Sequence, residues 1–239
     1  MKYMGSKARI AKHILPIILK DRKDGQWYVE PFVGGANMID KVDGNRIGAD
    51  SNNAVIDALT FIRDCDTPKT NSDYTESRYM IAADMARSGL KIENIDSYAL
   101  IAFSFGAKWV GGWSRGKNCN GEDRDYVAEQ HRSAEKQKAL LNGVHLISKS
   151  YDELDIPPQS IIYCDPPYAG TTKYKDDFDH DKFWQWCRDR CEEGHSVFIS
   201  EYNAPDDFVC VWSGDLSVSV QRSGAKKATE RLFVHKSQV

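Results

Sequence analysis

The sequence predicts an α/β fold built from parallel strand–helix–strand units. Two stretches carry that pattern: residues 26–61, where short apolar strands alternate with helical segments, and the chain from Val144 onward, where the pattern resumes. A third observation is Asp165-Pro166-Pro167-Tyr168, which directly follows the apolar run 160–164. Prolines lack a ladder donor and fix φ, so a central strand must end there, at the sheet edge where open α/β folds bind ligands.

The N-terminal part contains the first of these units. Ile10, Ile14 and Ile18 recur at helical spacing, which predicts an amphipathic helix over residues 8–19. Short strands are predicted at 26–29 and 46–49, joined by a turn and a helical stretch, with a helix at 53–61. A strand, a turn, a helix and a strand in that order indicate that the two strands are parallel.

The middle of the chain, from Cys65 to about Ser148, differs from both flanks. Its predicted elements are helices at 77–86 and 96–103, a glycine-rich basic loop at 108–124, and a polar helix at 124–141. Long irregular loops in compact domains are usually functional or disordered.

The C-terminal part returns to strands. Its predicted elements are strands at 146–147, 160–164 and 195–200, a helix at 181–191, and alternating runs at 207–212 and 231–235. The two alternating runs fit antiparallel strands at one edge of the sheet.

Composition excludes few classes of protein. The formal net charge of the 239 residues is -3, so any nucleic-acid surface must be a local basic patch. The six cysteines include no CxxC pair, and Cys187 and Cys191 lack a second pair for a zinc site. We therefore expect no metal, and reduced thiols in a cytoplasmic protein. Neither a signal peptide nor a membrane-spanning run is expected.

The Asp165 loop has the groups that a planar base with an exocyclic amine requires. Such an amine can donate to the Asp165 carboxylate and to the carbonyl of Pro166, while the Tyr168 ring stacks on the base. The alternative is a plain strand-to-loop turn, because Pro-Pro after an apolar run is common.

A second site is indicated near the N-terminus. Glu30-Pro31-Phe32-Val33-Gly34-Gly35 joins a strand to a predicted helix, and its glycines allow backbone amides to approach a ligand. Asp50, twenty residues after Glu30, ends the next strand and can accept two hydrogen bonds from a ribose diol. The alternative for Asp50 is a helix N-cap before Asn53. Together they indicate an adenosine-type cofactor without a phosphate-binding loop.

Two further groups of residues are candidates. Lys7, with Gly5 allowing close approach, can neutralise a carboxylate, although an isolated N-terminal lysine is more often solvated. Cations alternate with tryptophans in the basic loop, and a second basic turn lies near the C-terminus: Lys108, Trp109, Trp113, Arg115, Lys117 and Arg124, then Lys226 and Lys227. Such a pattern suits phosphate contacts and base stacking or wedge insertion. The alternative is a solvated loop with core tryptophans, and for Trp109 we expect the core.

These motifs occur in a fixed order: Tyr3-Met4-Gly5-Ser6-Lys7, the Glu30 turn, Ala49-Asp50-Ser51-Asn52, Asp165-Pro166-Pro167-Tyr168, and Phe198-Ile199-Ser200-Glu201-Tyr202. The ordered set resembles the Dam-type DNA adenine-N6 methyltransferases (D12 class, group alpha) over nearly the whole chain outside the middle region. Two departures are Ala36 in place of a third glycine, which we expect to be tolerated, and a short middle region, which leaves the target sequence open.

The resemblance implies a Rossmann-like methyltransferase sheet with a mostly helical inserted target-recognition region. The catalytic domain would comprise residues 1–64 and 145–239, and the insertion residues 65–144. The implied cofactor is S-adenosylmethionine, and the implied partner is double-stranded DNA.

The resemblance also implies a set of site residues. The catalytic residues would be Asp165, Pro166 and Tyr168. The cofactor would contact Tyr3, Met4, Gly5, Lys7, Glu30, Phe32, Gly34, Asp50, Tyr151 and Asp165. DNA would contact Lys108, Trp113, Arg115, Lys117, Arg124, Lys226 and Lys227.

The predicted activity is site-specific methylation of the N6 amine of adenine in DNA, by base flipping and direct in-line transfer. Methylation of RNA adenine or of another planar nitrogen is an alternative, although Asp165 favours adenine. A catalytically silent nucleic-acid-binding protein of the same fold is another alternative. The missing GxGxxG pattern weighs against a nicotinamide-dependent oxidoreductase.

Overall fold

The computed structural model of the chain describes residues 1–168, 178–217 and 227–239. Within these ranges, one sheet has the strand order β3-β2-β1-β4-β5-β7-β6. Its strands are β1 (Tyr28–Glu30), β2 (Arg46–Asp50), β3 (Val144–Ser148), β4 (Ile161–Cys164), β5 (Ser196–Glu201), β6 (Phe208–Ser217) and β7 (Lys227–His235). The first five strands in the sheet order are parallel, and β7 and β6 add an antiparallel edge. The predicted α/β class and its antiparallel edge are confirmed.

Helices accompany the sheet throughout the described chain: α1 (Ala11–Ile18), α2 (Asn53–Asp64), α3 (Glu76–Arg87), α4 (Asn94–Ala102), α5 (Tyr126–Lys138) and α6 (His180–Glu192). Four of them begin where a side-chain oxygen accepts an early backbone amide, at the caps Asn52, Thr75, Asp125 and Asp179. None of these helices is long and apolar enough to cross a membrane.

The two faces of the sheet bury separate apolar cores. Alternate residues of β4 enter opposite cores, Tyr163 on one face and Cys164 on the other. The first core includes α1, α2, α4 and α5, and the second includes α6. Strands covered on both faces are apolar throughout, which is why β4 consists of the fully buried run Ile161–Cys164.

The connection from β1 to β2 differs from the prediction. The expected helix after Asn37 is a short 3-10 turn, Ile39–Lys41. The amide of Val33 donates to the carbonyl of Ala49 at 2.7 Å, which folds the chain back onto β2 immediately after β1. Ala36 then takes a left-handed φ of 56°, so no α-helix can start there.

The helices of the middle region pack on α2 rather than standing apart from the sheet. Helices α4 and α5 both contact α2. Tyr98, Phe103 and Val127 belong to the same apolar core as Ile14 and Leu59. Helices α3, α4 and α5 of the region 65–144 therefore share a core with the sheet, and the boundaries of this region as a target-recognition insertion stay a prediction.

Candidate active site

The strand order brings the predicted acidic residues to one edge of the sheet. Strand β1 lies between β2 and β4 and is parallel to both, so Glu30, Asp50 and Asp165 emerge at the same edge. The chain adds β2 and then β3 on one side of β1, and afterwards β4 and then β5 on the other side, and such a switch point opens a crevice in α/β sheets. Both predicted motifs therefore border one crevice.

Lys7 reaches into this crevice and pairs with Asp165. Its ammonium Nζ lies 2.9 Å from Oδ1 of Asp165 and 3.8 Å from Oε2 of Glu230. The Lys7 side chain is only 7% exposed, so it is buried rather than solvated. Burial alone would lower the pKa of Lys7, but Asp165 and Glu230 together outweigh burial and raise it. Burial raises the pKa of Asp165, and the bonded Lys7 opposes that rise.

Tyr168 is held on three sides. Its hydroxyl donates to Oε2 of Glu230 at 2.7 Å, and Lys7 Nζ lies 4.5 Å from its ring centre. The ring also meets Tyr202 edge-on at 4.6 Å. Burial raises the pKa of the Tyr168 hydroxyl well above its usual value, so the hydroxyl stays a donor.

The sequence analysis missed Glu230. It lies on β7, two residues before Leu232, which is fully buried in the first core. Side chains two residues apart on a strand lie on the same face of the sheet. The sequence could therefore have indicated that the Glu230 carboxylate shares a face with the buried Leu232. That signal becomes specific only once β7 is known to pair with β5.

Asp50 organises the turn after β1. Its carboxylate accepts a hydrogen bond from the amide of Gly34 at 3.1 Å and another from the amide of Asn52 at 2.9 Å. The cap of α2 is Asn52, whose side chain accepts the amide of Ala54 at 3.1 Å, so the N-cap alternative for Asp50 is wrong. Burial raises the pKa of Asp50 to about 6, against the two backbone hydrogen bonds. Each carboxylate oxygen has a lone pair left for a ligand hydroxyl.

The glycines of the turn have a different use from the one expected. A Cβ on Gly34 would lie 3.0 Å from the Tyr3 ring, and a Cβ on Gly35 would lie 2.6 Å from Cβ of Tyr3. The space beside both glycines is thus filled by Tyr3 rather than kept for a ligand. The Gly34 amide is already bonded to Asp50. With no helix starting at the turn, the expected dipole is also absent.

Gln137 of α5 braces the same turn from the middle region. Its side-chain amide Nε2 lies 3.0 Å from the carbonyl of Gly35, 3.2 Å from the carbonyl of Ala36 and 2.9 Å from Oδ2 of Asp40. Gln137 is 4% exposed. Buried carbonyls need donors, so this one side chain supports a turn more than a hundred residues away in the sequence.

Glu30 is among the most deeply buried acidic residues at this edge. It is 2% exposed and accepts the Tyr28 hydroxyl at 2.9 Å. Burial raises its pKa well above the usual range, an effect that the Tyr28 hydrogen bond opposes. Glu30 therefore supports the crevice from beneath, and its predicted contact with a cofactor stays a prediction.

An aromatic wall borders the crevice beside Asp50. The rings of Phe32 and Tyr151 stack at 5.4 Å with 29° between their planes, and Phe183 meets both edge-on. Phe32 is only partly buried, whereas Tyr151 is buried. Next to it, Asp152 pairs with Lys182 at 2.5 Å. Aromatic surface beside a carboxylate with free lone pairs fits a nucleoside.

The basic loop lies apart from these buried groups. Arg115 pairs with Glu76, and Arg124 pairs with Glu129 at 2.6 Å while its guanidinium lies 4.6 Å from the Tyr126 ring centre. Lys117 is exposed and Lys108 is partly buried. Lys226 and the side chain of Lys227 lie outside the described residues.

The two tryptophans of this loop have exchanged the environments that we expected. Trp109 is 37% exposed, so its predicted place in the core is wrong. Trp113 instead packs edge-on against Tyr79 at 5.5 Å and Phe103 at 6.0 Å. The most exposed aromatic of this segment is Phe105, at 68%. The loop adjoins the N-terminal motif, because the amide of Met4 donates to the carbonyl of Ala107 at 3.2 Å.

The described residues contain no cluster of three or more His, Cys, Asp or Glu side chains that could hold a metal ion. The parallel sheet with its antiparallel edge is consistent with a Rossmann-like methyltransferase fold, and it carries an acidic residue at the end of β2 and the Asp-Pro-Pro-Tyr loop after β4. Residues 3–87 match the family model described as D12 class N6 adenine-specific DNA methyltransferase. This match supports the assignment of the chain to the Dam-type adenine-N6 methyltransferases, and the predicted resemblance is confirmed.

The family assignment implies an enzyme, an S-adenosylmethionine-dependent DNA adenine methyltransferase. No curated protein matches the chain. The matched residues include Lys7, the Glu30 turn and Asp50, whereas the Asp165 loop and Glu230 lie beyond them.

Proposed function

We propose that this enzyme methylates the N6 amine of adenine in double-stranded DNA, with the adenine flipped out of the duplex beside Asp165. The observation that carries the proposal is the contact of 2.9 Å between Lys7 Nζ and Asp165 Oδ1. A nitrogen donor is already bound to a carboxylate at the sheet edge, where an exocyclic amine would bind.

The cofactor would lie along the same edge. Asp50 retains lone pairs for the two ribose hydroxyls, and Phe32 and Tyr151 supply aromatic surface for the adenine ring. By resemblance, Tyr3, Met4, Gly5 and Lys7 would contact the methionine end. A Cβ on Gly5 would meet nothing within 4 Å, so there is open space beside it. S-adenosylmethionine supplies an electrophilic methyl group on a positively charged sulfur.

The chain's task in the reaction is to activate and orient the amine. The lone pair of the adenine N6 is delocalised into the ring, so the nitrogen is a poor nucleophile. Hydrogen bonds from the amine to Asp165 and to the Pro166 carbonyl favour a tetrahedral nitrogen with a localised lone pair. Alignment of the reacting atoms is mainly a matter of positioning. The amine loses a proton on methylation, and the Asp165 carboxylate is the nearest proposed acceptor.

The target amine is inaccessible inside a duplex, so the base must leave the stack. The Tyr168 ring would stack on the flipped base, and Lys7 must move aside from that ring and from Asp165. Outside the crevice, the exposed rings of Phe105 and Trp109 suit contact with the opened duplex better than the packed ring of Trp113.

The test is incubation with labelled S-adenosylmethionine and mixed-sequence duplex DNA, followed by mass analysis of the nucleosides. We expect N6-methyladenine with the wild-type enzyme and none above background with Asp165→Ala. Asp155→Ala is the matched control, because Asp155 is 98% exposed and pairs only at the surface with Lys149. Parallel reactions with RNA test the alternative substrate. Methylcytosine in place of methyladenine, or full activity of Asp165→Ala, would contradict the proposal.

A further inference from the structure

Glu230 connects two residues of the proposed active site from a strand distant in sequence. Its side chain is 9% exposed, and its Oε2 accepts the Tyr168 hydroxyl at 2.7 Å. The same oxygen lies 3.8 Å from Lys7 Nζ, within the range of an ion pair but beyond a hydrogen bond. Glu230 thus stands beside the Lys7–Asp165 pair as a second, more distant carboxylate.

Substrate binding creates a competition at Asp165. An adenine amine would donate a hydrogen bond to the Asp165 carboxylate. That carboxylate already pairs with the Lys7 ammonium, which lies 2.9 Å from its Oδ1. Lys7 is too buried to be left without a compensating charge, because an unpaired ammonium in a protein interior is strongly unfavourable. The Gly5 carbonyl, 3.3 Å from Nζ, offers a hydrogen bond but no charge.

Among the described residues, Glu230 is the carboxylate besides Asp165 that pairs with Lys7, so the chain itself can supply the charge that Lys7 requires. Nζ lies less than 1 Å further from Glu230 than from Asp165, so a small side-chain movement exchanges one carboxylate for the other. The hydrogen bond from Tyr168 fixes Oε2 at the place where Lys7 would arrive. Glu230 pairs with Gly214 of β6, and the residues that follow it in β7, from Arg231 to Phe233, pair with β5, which keeps the Glu230 backbone in place.

We infer that Glu230 is a positioning residue that receives the Lys7 ammonium when the target amine binds Asp165. This inference rests on the proposed function, because it requires an amine donor at Asp165. Without the Glu230 charge, Lys7 stays on Asp165 and competes with the substrate at every turnover.

The decisive experiment compares two substitutions of Glu230. Which variant is the more active depends on whether the charge of Glu230 or its size and hydrogen bond is required. Glu230→Gln keeps the size of the side chain and an acceptor for Tyr168 but removes the charge. Glu230→Asp keeps the charge and shortens the side chain. If the charge receives Lys7, Asp retains more activity than Gln; if Glu230 only fills space or holds Tyr168, Gln retains more.

The measurement is the turnover rate on mixed-sequence duplex DNA at saturating S-adenosylmethionine. We expect Glu230→Gln to lower this rate roughly tenfold or more, as for loss of one charged hydrogen-bonding group. Cofactor affinity by calorimetry should change less than about twofold, because Glu230 serves the amine side of the crevice. Asp215→Asn is the matched control, since Asp215 is an exposed acidic residue on the paired strand β6.

Each outcome decides the inference. A rate order of wild type, Asp, then Gln, with unchanged cofactor affinity, supports it. An order with Gln equal to or above Asp overturns it, as does a Glu230→Gln rate equal to that of Asp215→Asn. If the wild-type enzyme forms no N6-methyladenine, the proposed function fails and the inference falls with it. An active wild type with the wrong order refutes the inference alone.

Discussion

The ion pairs at the sheet edge are buried, whereas the ion pairs of the basic loop are exposed to solvent. At the edge, Lys7 is 7% exposed, and its carboxylate partners are Asp165, directly after β4, and Glu230 on β7. In the loop, the Arg115 side chain is 75% exposed, and its partner Glu76 is 39% exposed. Buried pairs are costly to break, whereas exposed pairs contribute about 0–1 kcal/mol and exchange readily. The edge is therefore suited to one fixed chemistry, and the loop to replaceable contacts with phosphates.

Removal of Asp165 should have the largest effect. Asp165→Asn should lower methyl transfer by about 10²–10³, the scale for losing one preorganised group at a reacting centre. It also leaves buried Lys7 with only the more distant Glu230, so we expect a loss of about 1–3 kcal/mol in the free energy of unfolding. Activity assays and denaturant melts measure both. Stability unchanged relative to Asp155→Asn would show that the buried pair contributes no more than an exposed one.

Asp50 tests whether the edge binds the cofactor. Asp50→Asn should weaken S-adenosylmethionine binding by on the order of 1–3 kcal/mol, because two charged acceptors for the ribose become one neutral one. The pKa of about 6 gives a second expectation: wild-type affinity should rise with pH between pH 5 and 7, as the carboxylate forms. Calorimetry at three pH values should find a flat profile for Asp50→Asn. Equal affinities of both proteins at pH 7 would remove Asp50 from the site.

The raised pKa of Asp50 also predicts the direction in which the free energy of unfolding changes with pH. The pKa of Asp50 in the folded protein lies above the ordinary value of 3.8 for an aspartate, so the protonated form is favoured in the folded protein. In the absence of cofactor, the contribution of Asp50 to the free energy of unfolding should fall as pH rises from about 4 to 6. The difference between wild-type and Asp50→Asn melts isolates this contribution from the other carboxylates.

The two tryptophans divide the loop into a packed part and an exposed part. Trp113→Ala should destabilise the fold by about 2–4 kcal/mol, because its ring packs on Tyr79 and Phe103. Trp109→Ala should change stability by less than about 1 kcal/mol and weaken DNA binding instead. Thermal melts and DNA titrations on both variants check this. The reverse pattern would return Trp113 to the role of a DNA contact.

The smallest effect is expected from the exposed cations. Replacing Arg115 and Lys117 together with Ala should reduce the slope of log affinity against log salt by up to about 2, near 0.9 for each phosphate contact. Glu76→Gln should strengthen DNA binding slightly, because it releases Arg115. Arg87→Ala, which removes an exposed pair with Asp84 on α3, is the control. An unchanged slope would place the loop away from the phosphate backbone.

Local patterns in the sequence predicted most of the fold. Strand β4, the Asp165 loop and the antiparallel edge all came from apolar runs, prolines and alternation. The helix after Asn37 was wrong because the Val33 and Gly34 amides bond to β2, a tertiary contact that no local pattern encodes. Asp50 was placed correctly at the end of its strand.

Short, contiguous motifs were enough to place Asp50 and Asp165 at one edge of the sheet, whereas residues on strands distant in sequence were missed. Glu230 is 62 residues from Tyr168, and its role depends on the insertion of β7 beside β5. Trp109 and Trp113 are only four residues apart, yet one ring is exposed and the other packed, and the chain around them takes a left-handed φ at Ala107 and at Val110. Backbone reversals of that kind at non-glycine residues are not readable from composition.

The brace formed by Gln137 limits how this enzyme can be recombined. An exchange of the whole stretch 65–144 for that of another family member would also remove Gln137, and with it one of the donors to each of the carbonyls of Gly35 and Ala36. A chimera joined before α5, near residue 124, would keep this donor while still exchanging the basic loop. If the middle region selects the target sequence, the stretch to exchange is therefore shorter than residues 65–144, and its C-terminal junction belongs ahead of α5.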